Sequence, residues 1–265
     1  MKSSQKIAGE NTNFAPGALT FISLTGITMK QWIAVLLLAL PLCVTAQVPD
    51  NDKIEAEIHN ASSPYYYPTL MARYREGDEN LGREAYRHLY YGYLFNPGYN
   101  PLSSVPAMDS VVTILLRDPD LVLDDYRRLI QHGNTVLETD PFNPRILNIM
   151  TYAYGTIGDT ENEVRSSRRF DGVMDAILST GEGSVEKSPW HILWFSHAED
   201  VMDFLGTQYR KPMVVSRTTE YFPLLKREGR VRGYYFDYSR IYVNRPEEPL
   251  TPPERRWQIN NQVLD

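Results

Sequence analysis

The sequence predicts a mainly α-helical protein, built from antiparallel helix pairs and followed by a small C-terminal α+β element. Three observations support this fold class. Apolar residues recur at helical spacing over most of residues 47–183, which predicts a helical-repeat-like region. Asp-Pro and Gly-Asp pairs interrupt that region at several points, as helix ends do. After residue 183 the apolar residues begin to alternate, which indicates strands.

A secretory signal peptide is predicted over residues 29–46. Lys30 precedes an apolar run over residues 32–40, and small residues precede Gln47. A basic residue, a short apolar run and small residues before the cleavage point are the signature of a cleaved signal. The run is too short to span a hydrocarbon core of about 30 Å, so we expect an exported protein without a stable membrane span.

Residues 1–28 lie ahead of this signal and have a different character. They are polar and lack the basic n-region that a signal peptide carries. We therefore interpret them as an N-terminal extension that arises from a start codon assigned too early, with Met29 as the initiator.

Cys43 is the only cysteine, and it lies inside the predicted leader. Cleavage after Ala46 would leave a mature protein with no thiol, no disulfide and no thiolate metal site. A bacterial lipoprotein needs small residues just before the modified cysteine, whereas Pro41 and Leu42 precede this one. Lipidation is therefore the less favoured interpretation.

The charge balance excludes an electrostatic nucleic-acid binder. The formal net charge is −6, and the pI is near 5.5. Binding to phosphate backbones requires a basic face. The short basic runs at residues 165–169 and 227–232 are expected to be solvated faces of helices or hairpins.

The helical region is predicted to hold one short element and six longer helices. A polar segment over residues 52–60 fits a short helix or an arm. The six helices are expected over residues 64–77, 83–94, 105–117, 121–139, 143–157 and 160–181. Thr160 and Glu163 form a capping-box pattern at the start of the last one. Val112 and Val164 are among the residues expected to face the core.

Residues 138–159 resemble a tetratricopeptide repeat boundary. Asp-Pro closes one helix, Gly-Asp lies where that repeat places its turn, and four residues occupy the repeat's offsets: Leu147, Met150, Ala153 and Tyr154. The resemblance covers about one repeat. It implies a tetratricopeptide-like stack of antiparallel helix pairs, with too few repeats for a long superhelix.

Residues 184–245 are predicted to form a small α+β element packed on the helices. Strands are expected over residues 189–195, 213–215 and 231–243, with Gly229 in a hairpin turn before the last one. Ser196 and Glu199 form a second capping-box pattern, which predicts a short helix between the first two strands. Residues 246–265 are rich in proline and charge and are predicted to be a flexible tail.

Three segments occur in a distinctive order, namely YYYPTLMARYREGDENLGREAYRHLYYGYLF, ILSTGEG and GYYFDYSRIY. In this order they resemble an uncharacterised family of exported bacterial proteins, common in Bacteroidales and called domain of unknown function 4919. The resemblance covers roughly residues 58–242 and is most specific over residues 86–93. The chain departs from it at Gly82, where a threonine helix cap is expected. Membership implies an exported helical protein with a small β element and no known activity. The location that we expect is the periplasm or cell surface of a Gram-negative bacterium.

Tyrosines concentrate between residues 65 and 99, and four side chains in that stretch form the candidate binding site. On a helix, Glu84 lies one turn before His88 and could orient its imidazole, as a general base requires. Tyr91 lies three residues later and could donate a hydrogen bond, with Arg87 beside it for an anionic ligand. The interpretation that we favour is a half-buried His88 satisfied by a neighbour at helical spacing.

No catalytic residue, metal site or cofactor is predicted. His191 and His197 lie near Glu199 and Asp200, but a spacing of His-x5-His suits neither one helix face nor a zinc motif. The sequence also lacks the phosphate-loop, dinucleotide, metalloprotease and serine-hydrolase motifs. The pair Asp124-Asp125 is expected to satisfy backbone amides at a helix start.

These observations favour a noncatalytic envelope protein, a helical scaffold that binds a protein or peptide. Tyrosine beside arginine is common in such surfaces, and aromatic faces also stack on sugars, so a glycan is a second ligand class. The competing interpretation is a hydrolase or glycan-processing enzyme with its site at Glu84, His88 and Tyr91. A purely structural partner in a surface complex is the third.

Overall fold

The computed structural model describes residues 47–103, 105–117 and 120–243, together with the backbone of residues 258–259 and 262–263. The predicted extension over residues 1–28 and the predicted signal peptide over residues 29–46 lie outside these described residues. The predicted tail over residues 246–265 also lies outside them, apart from two short paired strands, Gln258–Ile259 and Gln262–Val263.

The described residues are rich in helix, as the periodicity predicted. Eight α-helices lie in the described part of the chain: α1 Asn51–His59, α2 Tyr67–Glu76, α3 Arg83–Gly92, α4 Pro106–Leu115, α5 Leu123–Thr139, α6 Pro144–Ile157, α7 Thr160–Leu178 and α8 Ser196–Phe204. The polar segment that fitted either a helix or an arm is therefore a helix, α1. No helix in this part of the chain is long and apolar enough to cross a membrane.

Several helix ends follow from local residue chemistry. Gly77 ends α2 and Gly158 ends α6, each with a positive φ that favours glycine. Asn143 caps α6 by accepting a hydrogen bond from the amide of Ile146 (3.0 Å). At the start of α5, the carboxylate of Asp125 accepts from a backbone amide (3.1 Å), as the sequence predicted.

Both predicted capping boxes are wrong in detail. The cap of α7 is Asp159, one residue before Thr160, because its carboxylate accepts from the amide of Asn162 (3.2 Å). The residue before α8 is Phe195, which already has helical backbone angles. Ser196 is therefore the first helical residue rather than the N-cap, and α8 has no side-chain cap.

Helices α4 to α7 pack in chain order, each against the next. Helix α3 packs against α7, α1 and α2, so it lies deep among the helices. This arrangement agrees with a helix-rich fold, and the tetratricopeptide-like antiparallel pairing stays a prediction.

A small four-stranded sheet follows the helices. Its strands are β1 Trp190–His191, β2 Met213–Val214, β3 Thr219–Glu228 and β4 Val231–Asp237. Their order is β1-β4-β3-β2, with β1 parallel to β4 and the other pairs antiparallel. Gly229 lies in the β3–β4 turn with φ of +60°, as the sequence predicted for the hairpin.

The predicted strands were longer than the observed ones, and β3 was not predicted. The chain leaves β1 after two residues and turns towards α8, whereas β4 ends at Asp237 before a 3₁₀ turn, Ser239–Tyr242. Pro223 lies inside β3, beside an irregularity in the pairing with β4. A proline within a run of residues argues against a strand, so the sequence pattern did not indicate this one.

The large hydrophobic core joins α3 to the C-terminal sheet. The ring of Phe142 is fully buried in this core, and its centroid lies 5.1 Å from that of Tyr74, 6.0 Å from Tyr90 and 5.6 Å from Tyr93. A smaller cluster fills the space among α4, α5 and α6. Aromatic pairs at these separations add stabilisation beyond the area that they bury.

Two residues expected in the core are exposed. Val112 is 44% exposed because α4 packs chiefly against α5, which covers Val111 and Ile114 on the neighbouring stripe. Val164 is 41% exposed and lines an open surface cleft beside Gly77.

Candidate functional site

The four predicted site residues lie on α3, but they do not face one common pocket. Arg87, His88 and Tyr91 are buried, with at most 3% of each residue exposed. Glu84 is exposed at the start of the same helix. Its carboxylate lies 3.6 Å from Nε of Arg87, a partly exposed ion pair. The four residues are therefore neighbours on one helix, but three of them point into the core and one faces solvent.

Both ring nitrogens of His88 are engaged by the protein. Nδ1 lies 2.7 Å from the backbone carbonyl of Glu84, and Nε2 lies 2.6 Å from a carboxylate oxygen of Glu57 on α1. The ring of Tyr65 stacks on the imidazole at 3.9 Å. The carboxylate that orients His88 is therefore Glu57 rather than Glu84. A general base needs a nitrogen that faces substrate, and neither nitrogen has that freedom here.

Tyr91 bonds to the backbone rather than to His88. Its hydroxyl donates to the carbonyl of His191 (2.8 Å). Two guanidinium groups, of Arg87 and Arg240, lie over its ring at 6.0 and 5.6 Å from the centroid. Burial raises the pKa of Tyr91 even with these cations nearby. The side chain thus fills the core and stabilises two buried cations.

Arg87 and Arg240 hold the segment that leads into α1. Arg87 donates to the carbonyl of Gln47 (2.8 Å) and to the hydroxyl of Ser179 (2.8 Å). Arg240 donates to the carbonyl of Pro49 (2.6 Å). Arg87 was expected to bind an anionic ligand, but its N–H groups donate instead to these backbone and hydroxyl oxygens.

A buried polar network links α3 to α8. The hydroxyl of Tyr90 accepts from the amide of Leu193 (3.1 Å) and lies 2.8 Å from Nδ1 of His197. Because the carboxylate of Asp140 lies at Nε2 and acts as an acceptor, a neutral His197 ring carries its proton on Nε2, and Nδ1 then accepts the proton of the Tyr90 hydroxyl. Nε2 donates to Oδ2 of Asp140 (3.2 Å), which also accepts from the amide group of Asn143 (2.9 Å).

The order Asp140–His197–Tyr90 resembles the relay of a hydrolase, but its position excludes that use. Tyr90 and His197 are fully buried, so no substrate reaches the hydroxyl. Burial also raises the pKa of Tyr90 well above its ordinary value, which opposes formation of a nucleophilic phenolate. The network therefore stabilises the core, and the described residues contain no group of three His, Cys, Asp or Glu side chains that could hold a metal.

An open groove lies beside this network, where α6, α7 and α8 meet. We call it the Arg145 groove; it has a volume of about 300 Å³ and is lined by Pro144, Arg145, Asn148, Phe170, Asp200, Asp203 and Phe204. The rings of Phe170 and Phe204 contact each other edge to face, with centroids 5.6 Å apart. Phe204 is nevertheless 45% exposed, so the groove has an accessible aromatic wall.

Negative charge dominates the Arg145 groove. Nε of Arg145 lies 2.8 Å from Oδ1 of Asp200, and its Nη2 lies 3.7 Å from Glu199 and 3.8 Å from Asp203. Three carboxylates thus surround one guanidinium. Oδ2 of Asp200 is buried and has no hydrogen-bond partner among the described residues. Burial raises the pKa of Asp200 to about 6, against the opposing influence of His197 and Arg145.

Little in the sequence predicted this groove. Asp200 and Glu199 stand out beside His197, but their spacing fits no metal motif and does not predict a groove. Arg145 lies 55 positions from Asp200, and local periodicity carries no information about such a pairing. The aromatic wall comes from two further helices, so the groove exists only in the folded chain.

Comparison with known proteins identifies a family. The sequence model of the domain of unknown function DUF4919 matches residues 52–246, and the chain therefore belongs to that family. No curated protein and no solved structure matched the chain.

Proposed function

We propose that this member of the DUF4919 family is an exported, noncatalytic binding protein, and that it captures a basic side chain of a partner peptide or protein in the Arg145 groove. The observation that carries the proposal is the orphan oxygen of Asp200. Its side chain is 3% exposed and lines the groove, yet one carboxylate oxygen has no partner among the described residues.

Chemistry favours a cation as the occupant of this groove. A buried carboxylate oxygen without a donor is costly, and a charged donor from a ligand would remove that cost. Arg145 does not supply it in this structure, because its hydrogen bond to Asp200 runs from Nε to the other oxygen, Oδ1. Asp203 and Glu199 are more exposed and add to the local negative field.

The walls of the groove suit an arginine or lysine side chain in particular. The rings of Phe170 and Phe204 offer an apolar surface for the methylene stem. An aromatic face near a guanidinium or ammonium also contributes about 0.5–1 kcal/mol at an exposed site. Asn148 on α6 provides an uncharged polar group at the same rim.

Export and the tetratricopeptide-like pairing of helices are parts of the same proposal. Export is supported by the signal-peptide pattern over residues 29–46. A stack of helix pairs is supported by the packing of α4 to α7 in chain order. Stacked helices commonly present a rigid surface to peptides, which suits a scaffold.

The test is a binding measurement with matched peptides. Capped pentapeptides with arginine, lysine or citrulline at the centre are titrated against the purified protein, with fluorescence anisotropy as the readout. Because citrulline keeps the shape of arginine and lacks its charge, we expect it to bind at least about tenfold more weakly. Asp200→Asn should reduce arginine-peptide binding to the citrulline level. Asp124→Asn, an exposed carboxylate on α5, is the matched control and should leave binding unchanged.

Two results would contradict the proposal. One is equal binding of the arginine and citrulline peptides, which would show that charge plays no part. The other is unchanged arginine-peptide binding in Asp200→Asn, which would place the interaction elsewhere. Sequencing the N-terminus of the protein secreted by its host tests export separately, since cleavage after Ala46 leaves Gln47 first.

A further inference from the structure

A second cleft opens on the other side of the buried network, between the start of α4, the end of α5 and the start of α8. We call it the Trp194 cleft; its volume is about 280 Å³. Val105, Met108 and Val136 form one part of its lining, and Trp194 and Phe195 form another. None of its lining residues lines the Arg145 groove. The size suits a small molecule or a single side chain rather than a folded partner.

The floor of this apolar cleft holds a buried carboxylate. Asp140 is 5% exposed and lines the cleft. Its Oδ2 accepts two hydrogen bonds, from Asn143 (2.9 Å) and from His197 (3.2 Å). Its Oδ1 has no partner in the part of the chain that the structure describes. One carboxylate oxygen, Oδ2, is therefore hydrogen-bonded within the network, and the other, Oδ1, lacks a donor.

We propose that the Trp194 cleft binds an amine carried on an apolar ring or chain. The ammonium group donates to Oδ1 of Asp140, and the apolar part packs against Met108, Val136 and Trp194. An ion pair formed in a mostly apolar setting gains strength from the low local dielectric, and it supplies the donor that Oδ1 lacks. A neutral apolar ligand would fill the cleft and leave the carboxylate oxygen unpaired. The cleft is therefore expected to select its ligand by charge as well as by shape.

The walls are preorganised for a ligand. The indole of Trp194 stacks on Tyr93, with centroids 5.6 Å apart, and contacts Tyr99 edge to face at 5.1 Å. It also lies 5.0 Å from the ring of His197. The position of the indole is thus fixed by three buried rings before any ligand arrives, which reduces the entropic cost of binding.

The proposal does not depend on the function assigned to the Arg145 groove. The two sites use different carboxylates, Asp140 and Asp200, and different aromatic walls. Loss of one ligand therefore does not imply loss of the other.

The probes are tryptamine and 3-ethylindole, which share the indole ring and differ in the ammonium group. Both are titrated into the full-length protein by isothermal titration calorimetry at pH 7. We expect tryptamine to bind at least about tenfold more tightly than 3-ethylindole, because only tryptamine supplies a charged donor. Asp124→Asn, an exposed carboxylate outside both sites, should bind tryptamine like the unaltered protein.

Two variants locate the site. Asp140→Asn removes the charge and should abolish the preference for tryptamine. Because Asp140 also holds Asn143 and His197, that variant can lose stability, so Met108→Trp provides a second measurement. Met108 is only partly buried and lies outside the network, and a larger ring there should block the cleft and weaken tryptamine binding at least tenfold. Equal affinity for the two probes, or unchanged tryptamine binding in Met108→Trp, would overturn the proposal.

Discussion

The hydroxyl of Tyr90 lies 2.8 Å from Nδ1 of His197, 107 positions away in the chain. The carboxylate of Asp140 accepts from Nε2 of His197, so in a neutral ring Nδ1 accepts the proton of the Tyr90 hydroxyl. The same hydroxyl accepts from the amide of Leu193. A tyrosine of α3 therefore satisfies two buried groups in the polar network that borders the Trp194 cleft.

Tyr90→Phe tests this network with a change of one oxygen. The variant leaves Nδ1 of His197 and the amide of Leu193 buried without partners, which we expect to cost about 2–3 kcal/mol of unfolding free energy. Tyr67→Phe is the matched control. The hydroxyl of Tyr67 donates to the carbonyl of Leu89, which also accepts from the amide of Tyr93, so its loss should cost less than about 1 kcal/mol. Urea unfolding of both variants measures the two losses. Equal losses of unfolding free energy would mean that the Tyr90 hydroxyl contributes no more than that of Tyr67.

Arg87 and Arg83 lie one turn apart on α3 and offer a second matched pair. Arg87→Met leaves the carbonyl of Gln47 without its donor, and we expect a loss of about 2–3 kcal/mol together with faster proteolysis before α1. Arg83 makes an exposed ion pair with Asp175, so Arg83→Met should cost less than about 1 kcal/mol. If the segment before α1 is cleaved at the same rate in both variants, Arg87 does not hold that segment.

The partner of His88 separates a structural role from a catalytic one. Glu57→Gln removes the charged acceptor of Nε2, and we expect about 1–2 kcal/mol of destabilisation and a changed imidazole ¹⁵N spectrum. Glu84→Gln should leave that spectrum unchanged, because the Glu84 contact uses its backbone carbonyl. The opposite pattern would restore the interpretation in which the Glu84 carboxylate orients a general base.

Local patterns predicted the helices because helix formation depends on nearby residues. The stripe of Tyr86, Leu89, Tyr90 and Tyr93 is buried as its spacing indicates. The same patterns carried no information about which distant groups the tyrosine hydroxyls meet: Tyr74 bonds to the carbonyl of Pro141 and Tyr99 to that of Leu193. Most tyrosines of this stretch place the ring in or against the core while the hydroxyl satisfies a backbone carbonyl.

The candidate site was harder to predict for the same reason. His88 was expected to be satisfied at helical spacing, and its Nδ1 contact with the carbonyl of Glu84 has that spacing. Its second partner, Glu57, comes from a different helix, and the Arg145–Asp200 pair joins α6 to α8. Contacts between helices depend on packing, which a periodic pattern does not encode.

The pH dependence of stability gives the sharpest test of Asp200. Burial raises the pKa of Asp200 to about 6 in the folded protein, whereas an aspartate in an unfolded chain titrates near pH 3.9. Between these values the folded state holds the proton more tightly, so stability falls as pH rises from about 4 to about 6. The difference amounts to about 3 kcal/mol of unfolding free energy. Urea unfolding at pH 4, 5, 6 and 7 should show this slope in the unaltered protein and not in Asp200→Asn.

The matched control is Asp203→Asn, on the same helix but 69% exposed at its side chain, which should retain the slope. If the unfolding free energies of the unaltered protein and of Asp200→Asn change with pH in parallel, Asp200 is ionised in a solvated setting. The burial of Asp200 in the Arg145 groove would then be contradicted. The same titration links stability to binding. A basic ligand favours the ionised carboxylate, so arginine-peptide affinity should rise through pH 6 in the unaltered protein and stay flat in Asp200→Asn.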